Sequence, residues 1–283
     1  MAGAGASRGL KPMSWSRIIS PPRDARSRER ALATSKFLDD LSLESFDSTY
    51  PDRSFQPIVA LVAAYLEEEA IGSVLAAIPS EIAGLPVTTL VIVDGPGDAT
   101  AKIAASHGAF VCEFPVNRGH GVALRIGYQI ACARGARYIV TIDADGQNDP
   151  GEMPQLLEPV LNGSADLVIA SRRLGVDRTT NRLRKVGVRF FAGALNALTG
   201  QHLTDTSNGF RAMRSDVVRG MLLEQEQYQT AELLIEAARK GFRITERPTV
   251  WHPRAAGRSK KGNDVLFGLR YARVIARTWL REP

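Results

Sequence analysis

Tyr138-Ile139-Val140-Thr141-Ile142 runs directly into Asp143-Ala144-Asp145-Gly146-Gln147. The first five residues are apolar or β-branched, the composition of a strand covered on both faces. The next five are acidic and turn-forming. On an extended strand end, the carboxylates of Asp143 and Asp145 point to the same side, because side chains alternate with a period of two. Gln147 continues that side if the backbone stays extended. Two carboxylates and an amide oxygen are hard donors, suited to Mg²⁺ or Mn²⁺ beside a diphosphate. An Asp-x-Asp pair alone is more often a solvated turn; the buried strand directly before it is what singles this pair out.

Outward from this stretch the same pattern repeats. Ile58-Val59-Ala60-Leu61-Val62-Ala63 is another continuous apolar run, and residues 88–93 read as a further strand, ending at Asp94-Gly95-Pro96-Gly97. Helical patterns intervene at residues 67–78 and 98–107, and from the glycine-rich turn 117–121 through Arg134. Residues 109–113 and 166–170 read as strands, and 154–161 as a helix. This alternation predicts an α/β fold, doubly wound, with a mostly parallel central sheet. Ligands of such sheets bind beyond the carboxyl ends of the strands. Asp94 and Asp143 both fall at such ends. The second half is less regular, with helices expected over 184–198 and 230–240 and a strand over 243–250.

Of the 283 residues, 44% are hydrophobic and 23% charged, an ordinary globular mixture, and the formal net charge is +6. That balance favours acidic partners: nucleotide phosphates, anionic lipid headgroups or nucleic acid. The basic residues are dispersed and lack an aromatic-interleaved platform, so nucleic acid is not expected. Cys112 and Cys132 read as buried free thiols, which fits a reducing compartment. No apolar run approaches the roughly 20 residues of a membrane span, and the N-terminus lacks a secretory core. A cytoplasmic protein, soluble or peripheral on the membrane face, is expected.

The ends differ from the middle. Residues 1–55 are basic and broken by Pro21-Pro22, and are expected to form a mostly disordered arm with a short helix over 30–38. Residues 263–283 form a basic amphipathic helix. Its arginines, Arg270, Arg273, Arg277 and Arg281, recur at spacings of three and four beside Leu266, Leu269, Ile275 and Trp279. Such a helix either lies on an anionic membrane surface or packs its apolar stripe on the domain.

An ordered series of motifs extends the picture. It comprises Val62-Ala63-Ala64-Tyr65-Leu66-Glu67-Glu68, Val93-Asp94-Gly95-Pro96-Gly97-Asp98-Ala99-Thr100, Asn117-Arg118-Gly119-His120-Gly121 and Asp143-Ala144-Asp145-Gly146-Gln147-Asn148-Asp149-Pro150. It continues through Ala170-Ser171-Arg172, Thr206-Ser207-Asn208-Gly209-Phe210-Arg211-Ala212 and Gly257-Arg258-Ser259-Lys260. In order and spacing, residues 56–262 resemble a family 2-type glycosyltransferase of the A-type nucleotide-binding fold, especially its dolichyl- or polyprenyl-phosphate mannosyl- and glucosyltransferase branch.

The resemblance implies metal-dependent, inverting transfer of a hexose from GDP-mannose or UDP-glucose to a polyprenyl phosphate. By it, Ala64, Tyr65, Glu67, Asp94, Asn117, Gly119, His120 and Gly121 line the nucleotide-sugar pocket. Asp143, Asp145 and Gln147 hold the metal, with Asp143 also reaching ribose or sugar. Arg172 and Arg184 receive the acceptor phosphate, and Arg258 or Lys260 steadies the leaving diphosphate. Glu232 is the base-like candidate for an alcohol acceptor. Three departures surround the base-binding side: Val93, Leu66 and Ala63 replace the family's usual Asp, Asn and Pro. His120 stands where lysine is frequent. A soluble enzyme acting on a small molecule or a saccharide, including a retaining enzyme that uses a phosphorylated glycerate, and a non-catalytic nucleotide-binding protein are the alternatives. Association into a homo-oligomer stays open.

Overall fold

The computed structural model describes residues 25–179, 182–255 and 264–281. Arg258 and Lys260 lie outside the described residues, as do the first 24 residues and the side chain of Arg184. The chain divides into two compact units, Met1–Leu41 and Ser42–Pro283. Helix α1 (Ala25–Thr49) starts in the first and ends in the second. The part expected to be an arm therefore carries a 25-residue helix.

The second unit holds strands β1 (Ile58–Ala64), β2 (Glu81–Ile82), β3 (Leu85–Val93), β4 (Phe110–Glu113), β5 (Tyr138–Asp143), β6 (Leu167–Asp177), β7 (Arg211–Arg214) and β8 (Ile244–Trp251). Between and after them come α2 (Ile71–Ala77), α3 (Thr100–Ser106), α4 (His120–Ala133), α5 (Met153–Leu161), α6 (Arg182–Thr199), α7 (Ser215–Val218), α8 (Gln229–Arg239) and α9 (Asp264–Leu280). Helix α2 begins four residues later than its acidic lead-in suggests. Leu66 takes a left-handed backbone conformation (φ 53°), and Glu67 O accepts from the amides of Ala70 and Ile71 in a turn.

The strands form one sheet in the order β2-β3-β1-β5-β7-β6-β8, with β4 also paired to β3. The expectation of a mostly parallel sheet is wrong: the sheet is mixed. Pairs β1–β3, β1–β5, β3–β4 and β6–β8 are parallel, whereas β2–β3, β5–β7 and β6–β7 are antiparallel. The cause is β7, which inserts antiparallel between β5 and β6 and separates two parallel blocks. Its sequence, Arg-Ala-Met-Arg, is too short and too charged at its ends to announce a central strand.

Every residue of β1 is buried, because both its edges are paired and both its faces are covered. Its side chains divide by parity. Val59, Leu61 and Ala63 join a core with α4, α8 and α9, while Ile58, Ala60, Val62 and Ala64 join a core with α2 and α5. Helix α4 approaches β1 closely at Gly127, where a Cβ would lie 2.4 Å from Leu61 Cδ1. In α9, Tyr271, Val274 and Ile275 are buried and Trp279 packs on the same core, whereas Leu269 and Leu280 are exposed. Most of the helix's described apolar side chains are thus taken up within the domain, while the side chain of Leu266 lies outside the described residues. Cys112 is a buried free thiol and Cys132 a half-buried one; burial pushes the Cys112 thiol up to about 12.

Because Leu61 is fully buried under Gly127, Leu61→Ala opens a cavity that the paired β1 backbone cannot close. We expect it to cost about 2–5 kcal/mol, read as a lower urea midpoint with an unchanged m-value.

Candidate active site

The sheet register brings three strand ends to one edge. Ala64 at the end of β1 pairs with Val93 of β3, and Ala63 pairs with Asp143 of β5. Asp94 follows β3, its amide bonded to Ala64 O at 2.8 Å. The first and second acidic segments therefore flank β1, as their positions at strand ends suggest.

Asp94 is nearly fully buried, and both its oxygens are engaged. Oδ1 accepts from the Arg118 amide at 2.6 Å and Oδ2 from the Gly119 amide at 2.8 Å. Burial pushes this carboxyl up from 3.8 to about 6, against the lowering effect of those two amides and of the His120 and Arg118 charges. The turn 117–121 is thereby fastened over the end of β3, where a Cβ on Gly95 would lie 2.5 Å from Asn117 N. Gly119 adopts φ 106°, a conformation that glycine reaches without steric cost. From the first turn of α4, His120 Nε2 meets Asp143 Oδ1 at 3.2 Å.

The acidic loop is gripped from another direction. The chain leaving β8 runs beside it, with His252 N bonded to Gln147 O at 2.9 Å and Ala255 N to Asp145 O at 3.2 Å. This places Arg254 between two carboxylates. Its Nη2 lies 2.8 Å from Asp145 Oδ2, and its Nη1 lies 2.9 Å from Glu67 Oε1. Sequence reasoning missed Arg254. It picked Arg258 and Lys260 from the same basic run by resemblance, although Arg254 is the cation nearest the end of the strand. That nearness was the available signal.

A divalent cation suits this donor set. Asp145 Oδ1 accepts from the Gln147 amide at 3.0 Å, and Gln147 Nε2 donates to His252 O at 3.3 Å. The latter bond commits the amide nitrogen of Gln147 and leaves its oxygen as the donor a metal would use. Among the described residues no group of three His, Cys, Asp or Glu side chains forms a cluster. The set is instead two carboxylates with an amide, and a guanidinium already balances the charge of Asp145.

Other expected residues fall elsewhere. Ala64 is buried and Tyr65 half-buried beside the site. Arg172, assigned by resemblance to an acceptor phosphate, is buried with its fork on Asp205: Nε to Oδ2 at 2.5 Å and Nη2 to Oδ1 at 2.7 Å. Nη2 also donates to Ser207 Oγ at 2.7 Å, and the guanidinium stacks 4.8 Å from the Trp251 ring centroid. Burial opposes the Arg172 charge but Asp205 outweighs it, so the guanidinium is held above its ordinary range. Glu232 is fully buried in α8. Its carboxylate accepts from the amides of Glu224 at 2.9 Å and Gln225 at 3.0 Å and pairs with Arg281 at 3.1 Å. Those bonds hold a loop and the end of the last helix, a different task from proton abstraction.

Asp94 supplies a test of pH dependence. Its folded-state pKa is raised, so between pH 4 and 6 the native state binds the proton that the unfolded state has lost. Its contribution to stability therefore falls as pH rises through that window and is level above it. A ¹³C NMR titration should place the Asp94 carboxyl midpoint near 6, and Asp94→Asn should flatten the stability slope between pH 4 and 6.

Comparison with known proteins identifies the family of this chain. The profile of glycosyl transferase family 2 matches residues 59–222. A dolichyl-phosphate hexose transferase of Haloferax volcanii is 33% identical over 229 residues, covering 81% of this chain and 96% of that protein. An undecaprenyl-phosphate mannosyltransferase of Micrococcus luteus is 33% identical over 180 residues, covering 61% of this chain and 73% of that protein. In fold, the chain is similar to glucosyl-3-phosphoglycerate synthase from Mycobacterium tuberculosis, solved in complex with phosphoglyceric acid. The TM-score is 0.64 at 21% identity, covering 84% of each chain. With the family profile spanning more than half of its length, the chain belongs to glycosyltransferase family 2 and is a glycosyltransferase.

Proposed function

We propose that this enzyme transfers a hexose from a nucleoside-diphosphate sugar to a phosphorylated acceptor with the help of Mg²⁺ or Mn²⁺. The observation that carries the reading is the contact of Arg254 with Asp145 and Glu67 at the joined ends of β1, β3 and β5. It sets an acidic loop and a cation side by side, the pairing that handling a diphosphate with a metal requires. When bound, the metal supplies positive charge against the negative charge that develops on the leaving diphosphate. Asp143, Asp145 and Gln147 would hold it. Ala64, Tyr65, Glu67, Asp94 and the turn 117–121 would line the nucleotide. Arg254 would steady the diphosphate, joined by Arg258 and Lys260, since a guanidinium binds phosphate oxygens through parallel hydrogen bonds.

Two acceptors of this class rest on separate observations. A polyprenyl phosphate is supported by the two relatives named for such acceptors. It is also supported by Glu232, whose carboxylate is already engaged: a phosphate monoester is anionic near neutral pH and attacks without a base. No helix among the described residues is long and apolar enough to cross a membrane. Among the described residues, exposed apolar side chains that could meet a lipid surface include Leu174 and Val176 of β6, Val186 and Phe190 of α6 and Leu269 of α9, with Arg189 exposed beside Phe190. A phosphorylated glycerate is supported by the likeness in fold to a synthase that holds phosphoglyceric acid. Because Arg172 is committed to Asp205, we assign it to supporting the site and not to receiving the acceptor phosphate.

The test pairs GDP-mannose and UDP-glucose with polyprenyl phosphate and with 3-phosphoglycerate, each with Mn²⁺ and with EDTA. Turnover with one acceptor should require metal, and Asp145→Ala should lower it by about 10²-fold or more while the protein still folds. Full activity of Asp145→Ala, or turnover in EDTA, would refute the metal role. The anomeric configuration of the product decides between inversion and retention.

A further inference from the structure

Helix α9 and Arg281 lie beyond the residues matched by the family profile, yet a continuous set of contacts joins them to the site. Arg281 Nη1 meets Glu232 Oε1 and Glu224 Oε2, each at 3.1 Å. Its Nη2 meets Glu236 Oε1 at 3.0 Å and donates to Leu222 O at 2.7 Å. Glu232 is itself fully buried, so its charge needs a cation nearby. With that cation in place, its two oxygens hold the amides of Glu224 and Gln225.

The held loop presses directly on the turn 117–121. Glu226 O accepts from the Gly121 amide at 2.8 Å. A Cβ on Gly121 would lie 2.1 Å from Gln225 O, and one on Gly119 would lie 2.5 Å from Glu226 O. Glycine is required at both positions because another backbone is seated there. The same turn supplies the two amides that bind Asp94 and the imidazole that meets Asp143. The end of α9 is fixed in turn by Arg239, whose Nη1 donates to Thr278 O at 3.1 Å and to Arg281 O at 3.0 Å. A second tie joins Tyr271 of α9 to Tyr228 at the loop's end, their rings packed edge to face at 5.9 Å.

We propose that Arg281 is a positioning residue for the nucleotide pocket, acting through Glu232 and the loop 224–226 on the turn 117–121. That this pocket takes a nucleotide rests on the function proposed above; the mechanical coupling does not. Removing Arg281 leaves Glu232 buried without its cation, loosens its hold on the Glu224 and Gln225 amides, and frees the carbonyl that seats Gly121. An ordinary stabilising role would lower the melting temperature without singling out this turn.

The experiment compares the wild-type chain with Arg281→Met and Arg281→Lys, using Arg277→Met, at an exposed arginine in the last turn of α9, as a control. Amide hydrogen exchange is followed at Arg118, Gly119, Gly121, Glu224 and Gln225, with β1 as the internal reference. Binding of UDP and of GDP is measured with Mn²⁺. Arg281→Met should exchange at least about tenfold faster at these five amides than β1 does relative to wild type, and should bind the preferred nucleotide at least about tenfold more weakly, a change of about 1.4 kcal/mol. Arg281→Lys should lie between, and Arg277→Met should match wild type. Unchanged exchange at Gly121, or an equal rise throughout β1, overturns the proposal. If Arg281→Met does not fold, Arg281→Lys is judged by the same criteria. If the wild-type chain binds neither nucleotide, the donor reading fails, while the exchange data still decide the coupling.

Discussion

Strand β1 sets the terms for the rest of the molecule. It is buried along its whole length, paired in parallel on both edges and packed on both faces. A one-residue slip would exchange its two side-chain faces, so its register with β3 and β5 is strongly determined. That register puts the ends of all three strands at one edge. Backbone groups running out of pairing partners there are met by turns, and the turns carry the acids. The site is thus a consequence of where three parallel strands stop.

Concentrating acids at one edge creates an electrostatic problem that the structure solves locally. Asp94 is satisfied by backbone amides, Asp143 meets an imidazole, and Asp145 and Glu67 share a guanidinium. Arg254 reaches the acids because the chain leaving β8 is hydrogen-bonded alongside the acidic loop. Its segment leads into the run containing Arg258 and Lys260. A guanidinium binds carboxylate and phosphate oxygens alike through parallel hydrogen bonds. By contrast, Arg172 and Asp205 form a buried, bidentate pair beneath Trp251, a contact suited to holding β6 against the loop after α6.

Much of the first half was legible in the chain. The apolar runs of β1, β3 and β5 are long enough to identify strands, and the acids at their ends locate the site. The second half was less so. β7 has four residues, two of them arginine, and becomes a strand only because β5 and β6 offer it edges on both sides. Its antiparallel direction, which makes the sheet mixed, depends on the path of a connection that has no local signature. Glu232 illustrates the same limit. An acid in the first turn of a helix reads equally as a base or a cap, and its role follows from Arg281, 49 positions away.

Sequence by itself determined the family, the strands that build the site's edge and the acidic loop at its centre, because these depend on local composition and ordered spacing. Tertiary structure decided how the charges are shared out. Ion pairing depends on which distant segments meet, and spacing along the chain does not encode that. Only folding brings Arg254 to Asp145, commits Arg172 to Asp205, and uses Glu232 and Arg281 to seat a loop against Gly119 and Gly121.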